Sequence, residues 1–476
     1  MNIYTFSFIR QGAKMLNGQH IIMNVHLLIR VCVGAVLLTI GFASFVRAAA
    51  PSVDNTIVIV TSFSPSMFET FKIAFEAERP DITVLMRGKQ TSAAISFIEE
   101  RLSEPADLFW ASAPDAFEVL KAAGLLQQAF ARSGEDVSRI GTYPIDDPDG
   151  FYKGFAVSGY GIVWNNDYLA DHGLRAPASW NELKHQNYNR HIGMSAPSRS
   201  GTTHLIVESI LQSQGWRNGW ATLLEMGGNL ATVTARSFGV IDGVLSERFG
   251  IGLVIDFFGI SAKATGSPVD FIYPAGTAFL PANIALLKRS TNPGAAMAFI
   301  NFVLSKKGQR LLFEPEISRL PVLSEIYGSA PTYYTNPFGV ELTNKAIVFD
   351  ANISRQRYQL VNSMFDVMIT FRLKSLRRTW KVIHEAEYAL QGLDRPDLQA
   401  RVKKARALAS EIPVTHNNAK SADFSSIFVR HKPGFSAPQR QYQLEAEWTK
   451  LSRLNQDRAY KIAISALSEI QGSRSQ

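Results

Sequence analysis

The chain has 476 residues, with 49 Lys and Arg against 41 Asp and Glu and a formal net charge of +8. A 46% hydrophobic content, 19% charged residues, 33 Gly, 21 Pro and a single Cys exclude a disordered, collagen-like or disulfide-stapled protein and leave a globular chain of two or three domains. The charge is unevenly spread: residues 1–48 carry +4, residues 49–350 carry −6 and residues 351–476 carry +10, so an acidic body is followed by a basic tail.

The first 50 residues hold Arg10, Lys14, Arg30 and Arg47 but no acidic residue, followed by the uncharged run VCVGAVLLTIGFASF (31–45) and then VRAAA. That order predicts a secretory signal peptide cleaved after Ala48, with an uncleaved anchor as the alternative. Met23 is a second candidate start, which would make residues 1–22 an extension. Cys32 falls inside the leader, so the exported chain would hold no thiol, no disulfide and no cysteine-bound metal. The expected compartment is a Gram-negative periplasm.

TIVIVTSF (56–63) reads as a buried strand and SPSMFETFKIAFEAERP (64–80) as a helix. The unit recurs as DITVLMRG with TSAAISFIEERLSE, and as ADLFWAS with SAPDAFEVLKAAGLL, which predicts an open parallel sheet covered by helices. FAVSGYGIVWN (155–165) is long enough to cross to a second lobe. Two further units, 190–215 and 229–259, fill that lobe, and 267–290 returns to the first. NPGAAMAFINFVLSKKGQRLLFE (292–314) reads as a helix pair. The expected organisation is lobe 1 over 49–154 and 275–343, lobe 2 over 155–274, and a basic helical extension over 344–476. The extension contains long helical patterns at 359–392 and about 441–470, with a loop-like stretch between 413 and 440.

Ligands of such sheets bind beyond the carboxyl ends of the strands. At those turns stand Ser62, Ser64, Thr91, Ser92 and Ser112 in the first lobe, and Ser200, Gly201, Thr202 and Thr203 of SRSGTTH in the second. Hydroxyls and first-turn N–H groups together suit an anion; the plainer use of each Ser or Thr is as a helix N-cap. Arg199, Arg236 and the adjacent Ser237 add guanidinium and hydroxyl donors, with solvated surface arginines as the alternative. Asp256, at the end of a strand, could accept from a ligand hydroxyl or cap the next turn. There is no G-x-S-x-G elbow or GxxxxGK[ST] loop, and HEAE (384–387) lacks the second His of a zinc protease motif. The residues therefore predict no catalytic group, metal or cofactor.

TSFSPS, SPSRSGTTHLIVE, ARSFGV and LSKKGQRLLFE together resemble the extracellular solute-binding proteins of ABC importers, the group with iron(III)-, phosphonate- and organophosphate-binding members. The resemblance spans about residues 55–390. It implies an α/β, two-lobed periplasmic-binding-protein type II fold with two crossing hinge strands, to which the C-terminal helices are added. Ser200, Gly201 and Thr202 match the family's anion-gripping S-G-[ST] turn, and Ser62 and Ser64 its first-lobe turn. Iron(III) members carry two adjacent tyrosines where this chain has Phe257 and Phe258, which argues against iron. The implied function is capture of a small anionic solute, a phosphate ester or phosphonate, for an ABC permease in the inner membrane. The alternatives are a regulator signalling to a membrane sensor kinase and a periplasmic hydrolase. A monomer without nucleic-acid partners is expected, its extension either packed on the first lobe or docking a membrane partner.

Overall fold

A computed structural model describes residues 55–100, 104–132, 139–140, 143–429 and 437–474. The leader expected at residues 1–48 lies outside the described residues. Among the described residues, no helix is long and apolar enough to cross a membrane.

The first lobe is built from β1 (Thr56–Thr61), α1 (Pro65–Glu78), β2 (Thr83–Gly88), α2 (Thr91–Glu100), β3 (Leu108–Ala111) and α3 (Pro114–Ala122). β1 and β3 are short apolar runs because both faces of the sheet are covered there, whereas the edge strand β2 buries only Val84. Each helix follows a tight turn. In α1 a proline occupies the first turn, where its missing N–H is no loss, and Met67, Phe71 and Phe75 recur every fourth residue to bury one stripe. A two-stranded ribbon, β4 (Arg139–Ile140) with β5 (Tyr143–Pro144), precedes the long β6 (Lys153–Asn165).

The second lobe then runs through α4 (Asn166–Asp171), β7 (Ile192–Ser195), α5 (Gly201–Gln214), α6 (Trp216–Gly227), β8 (Leu230–Thr234), α7 (Phe238–Leu245), β9 (Ile251–Ile255), α8 (Asp256–Ala264) and β10 (Val269–Ile272). The chain returns in β11 (Phe279–Leu286), followed by α9 (Pro293–Leu304), α10 (Lys306–Leu311) and β12 (Leu320–Pro321). The strand order is β2-β1-β3-β11-β6-β9-β7-β8, with β10 and β12 also pairing β6. The first half of β6 pairs β11 and β12, and its second half pairs β9 and β10. One 13-residue strand thus belongs to both lobes, and β10 with β11 makes the return crossing.

The extension comprises α11 (Val340–Lys345), α12 (Ala351–Gln356), α13 (Tyr358–Met368), α14 (Leu373–Ala389), α15 (Pro396–Ala409), the short α16 (His416–Lys420) and α17 (Ala422–Ser426), and α18 (Gln439–Arg474). Its apolar faces share one buried cluster with α5, α6 and the strands of the second lobe. The extension thus packs chiefly on the second lobe and not, as expected, on the first, which it touches where α12 meets α3. The close approach is made possible by Gly227 and Gly228 at the end of α6: a Cβ on Gly228 would sit 2.5 Å from the Cβ of Trp380 on α14. Arg406 of α15 seals the same seam, donating to Glu225 of α6 at 2.6 Å and to Glu387 of α14 at 2.6 and 2.8 Å.

Candidate functional site

The carboxyl ends of the strands in both lobes face one cleft of about 590 Å³. Ser62 and Ser64 follow β1, Gln90 and Thr91 follow β2, and Ser112 follows β3. On the opposite wall, Arg199, Ser200, Gly201 and Thr202 follow β7, and Arg236 and Ser237 follow β8. The geometry follows from the fold: parallel strands bring successive turns to the same edge.

At α5 the side chain of Ser200 accepts the N–H of Thr203 at 3.1 Å, an ordinary N-cap. That leaves Gly201 and Thr202 to present first-turn N–H groups to the cleft. Gly201 is not sterically compelled, since a Cβ there would meet that of Ala113 at 3.7 Å, ordinary contact. Thr203 is buried behind the turn and is not part of the lining. Ser92 sits in α2, and its side chain lies outside what the structure describes. Across the mouth of the cleft, Arg236 donates from Nε and Nη2 to Gln90 Oε1 at 2.9 and 2.5 Å once the Gln90 amide is turned to face it. This bond joins the turn after β2 to the turn after β8.

Asp256 does not line the cleft. Its carboxylate is fully buried, with Oδ2 accepting from Gly159 N at 2.6 Å and Tyr273 Oη at 3.0 Å, and Oδ1 from Phe257 N at 2.8 Å. Gly159 belongs to the outgoing crossing strand and Tyr273 to the return, so Asp256 ties the two crossings together. Burial pushes its pKa up to about 7 against these hydrogen bonds.

Several lining residues escape the turn pattern, among them Arg319, Tyr358, Gln359 and Asn362. Arg319 follows Ser318, a non-glycine residue at φ 47°, and precedes β12, whose pairing with Val157 and Ala156 fixes its place beside the crossing strand. It is 3% exposed. Its guanidinium lies between two rings, 4.5 Å from the centroid of Phe63 and 3.8 Å from that of Phe257. Nε donates to Met67 Sδ at 3.0 Å, and Nη1 has no partner. Desolvation lowers its pKa to about 10, which still leaves it charged at neutral pH. Nothing local in EISRLPVL marks this arginine, so only the fold could find it.

Lys89, Arg199, Arg236 and Arg319 are the cations of the lining, and none of the lining residues is a carboxylate. The charge of buried Asp256 acts on Arg319, but no carboxylate hydrogen-bonds the guanidinium, whose burial is costly, and the hydroxyl of Ser62 at the same cleft is likewise buried and unpaired.

Residues 103–325 match the family described as bacterial extracellular solute-binding protein. Over 367 residues the chain is 33% identical to the phosphoglycerate transport regulatory protein PgtC of Salmonella typhimurium, spanning 76% of this chain and 86% of that one. Among solved structures, the periplasmic binding protein P5PA superimposes with a TM-score of 0.58 at 17% identity, covering 66% of this chain and 99% of its own. The periplasmic binding protein AfuA of Actinobacillus pleuropneumoniae, solved with fructose-6-phosphate bound, gives 0.54 at 19% identity, covering 68% and 97%.

Proposed function

The chain belongs to the bacterial extracellular solute-binding proteins of the ABC-importer type, and from that membership we propose that its cleft captures a small organic anion, a phosphate ester or a phosphonate. Delivery is to a permease in the inner membrane. The observation that carries the reading is Arg319: a buried cation between the rings of Phe63 and Phe257, within reach of the charge of buried Asp256 but with no carboxylate in hydrogen-bond contact. The solute's anionic group supplies the direct partner that the guanidinium lacks. First-turn amides of α5, the hydroxyls of Ser62 and Ser112 and the cations Arg199 and Lys89 replace its hydration shell.

The step is one of binding, and no bond of the solute need be broken. A phosphate monoester is favoured over a plain carboxylate for two reasons. The lining offers four cations to a single ligand, and both PgtC, by its name, and AfuA, by its bound sugar, concern phosphate esters. The leader read at residues 1–48 would supply the export signal. Purified protein should gain thermal stability from 3-phosphoglycerate, fructose 6-phosphate or a phosphonate, as mass action requires of any ligand that binds only the folded state. A panel of such anions that leaves the melting temperature unchanged at millimolar concentration would overturn the reading.

A second reading has one observation in its favour: the name of PgtC joins phosphoglycerate transport to regulation. In it, the loaded protein docks on a membrane sensor kinase, and the same cleft sets the kinase's output. It is separated from the first by whether loss of the protein abolishes solute uptake or only the response to the solute.

A further inference from the structure

We infer that the C-terminal extension is itself part of the solute site, with Gln359 and Asn362 of α13 reading the solute's neutral hydroxyl or carbonyl groups while the cations of the two lobes hold its anionic group. The inference rests on the reading of the cleft as an organic-anion site and adds to it the class of molecule accepted: an organic phosphate or phosphonate with polar substituents on its carbon skeleton.

The two helices of the extension nearest the cleft are seated on α5 by buried polar contacts. Arg357 donates from Nε and Nη2 to the two carboxylate oxygens of Glu208 at 2.9 and 2.7 Å, both residues being at most 4% exposed, and its guanidinium lies over the ring of Trp216 at 4.9 Å. The next residue, Tyr358, stacks on His204 with ring centroids 3.8 Å apart. One turn further, Asn362 Oδ1 lies 3.2 Å from His204 Nδ1. An amide oxygen only accepts, so Nδ1 carries the proton and Nε2 accepts from Ser354 Oγ at 3.3 Å. The same hydroxyl is 3.5 Å from Asp115 of the first lobe.

This seating has a direct consequence for the cleft. His204 is one helical turn beyond the Ser200 cap of α5, so the Asn362 amide held against it stands within about 5–6 Å along the axis of the anion-facing turn. With Oδ1 engaged, the N–H groups of Nδ2 remain for a ligand. Gln359 lines the cleft with no hydrogen bond from its side chain to any described residue. This wall carries amides and a phenol and no charge, whereas the turns of the two lobes carry cations and hydroxyls. Amides both donate and accept, which suits hydroxyl and carbonyl groups and adds nothing for a bare oxyanion beyond what the cations give. A site built to bond a substrate hydroxyl rejects ligands lacking it, because its own polar groups are left unpaired.

The test is calorimetric titration of the full chain and of Gln359→Ala and Asn362→Ala with 3-phosphoglycerate, fructose 6-phosphate and inorganic phosphate, with the ligand-free melting temperature measured for each variant. Affinity for the organic phosphate that the wild type binds is expected to fall about tenfold or more in each variant, with inorganic phosphate held within about twofold. Where inorganic phosphate binds too weakly to read, the organic arm alone decides. Gln359→Ala removes no internal bond, so it decides the matter even if Asn362→Ala fails to fold. Organic-phosphate affinities within about twofold of wild type would overturn the inference and leave the function standing, as would an equal loss for organic and inorganic phosphate. A wild type that binds none of the three anions would overturn both.

Discussion

Arg319 concentrates the tension between stability and function in one side chain. Its guanidinium is desolvated between Phe63 and Phe257, with one nitrogen spent on a thioether and another on nothing. A buried charge with no hydrogen-bonded counter-ion bears its desolvation cost, which an apolar residue of similar bulk removes. Arg319→Leu is therefore expected to leave the ligand-free melting temperature unchanged or raise it by a few degrees, while weakening binding of an organic phosphate by about a hundredfold. Calorimetry with a parallel melting curve checks both halves, and a variant that melts lower yet binds normally would assign the arginine a structural task. The turns holding Ser62, Ser64, Ser112, Ser200 and Arg236 were legible in the sequence because a strand-to-helix turn has a local signature. Arg319 had none: its position depends on Ser318 in the left-handed region and on two residues of β12 pairing with a strand more than 150 positions earlier. Asp256 misled for a related reason. A carboxylate at a strand end looks available until both its oxygens are seen to be engaged, Oδ2 by the two crossing segments and Oδ1 by the backbone of its own helix.

At the scale of elements, strands and helices of both lobes followed from apolar periodicity, and β6 was readable as a crossing from its unbroken length. The interface between α5 and the extension was not, since a buried stripe announces that a helix is covered and says nothing of what covers it. The basic composition of 351–476 pointed outward, to solvent or a partner, yet Arg357 and Arg406 turn inward onto Glu208 and Glu225 of the second lobe. The reading of 359–392 as one helical run also needed amending: it is α13 and α14, separated by a 3-10 turn at Thr370–Arg372. Removing one member of the buried pair should be severe. Glu208→Ala strands the Arg357 charge and is expected to cost about 3–5 kcal/mol, read as a large fall in the urea midpoint. The double change Glu208→Gln with Arg357→Met should recover much of that loss. If the double variant is no more stable than the single one, the pair contributes through packing and its charges are incidental.

Taken as a whole molecule, the described chain from Asn55 onward is one unit, and the extension shares its largest apolar cluster with the second lobe. Truncation at residue 390 would uncover the faces of α13 and α14 that pack on α15 and α18, which bring Leu398, Val402, Trp448 and Ala463 to the shared apolar cluster. That shortened chain is expected to be aggregation-prone and to melt well below the full one by circular dichroism. A soluble truncation with wild-type stability would show the extension to be an appendage. The net charge of +8 likewise changes meaning at this scale: part lies in residues 1–48 and part on helices anchored by internal carboxylates, and the charge proposed to select a ligand is a handful of side chains in one cleft. The most direct test of that claim is calorimetric titration of the mature protein with 3-phosphoglycerate and fructose 6-phosphate at physiological salt. One-to-one binding of at least one of them, at about micromolar affinity or tighter, is the expected result; the absence of heat from both at millimolar concentration would contradict it.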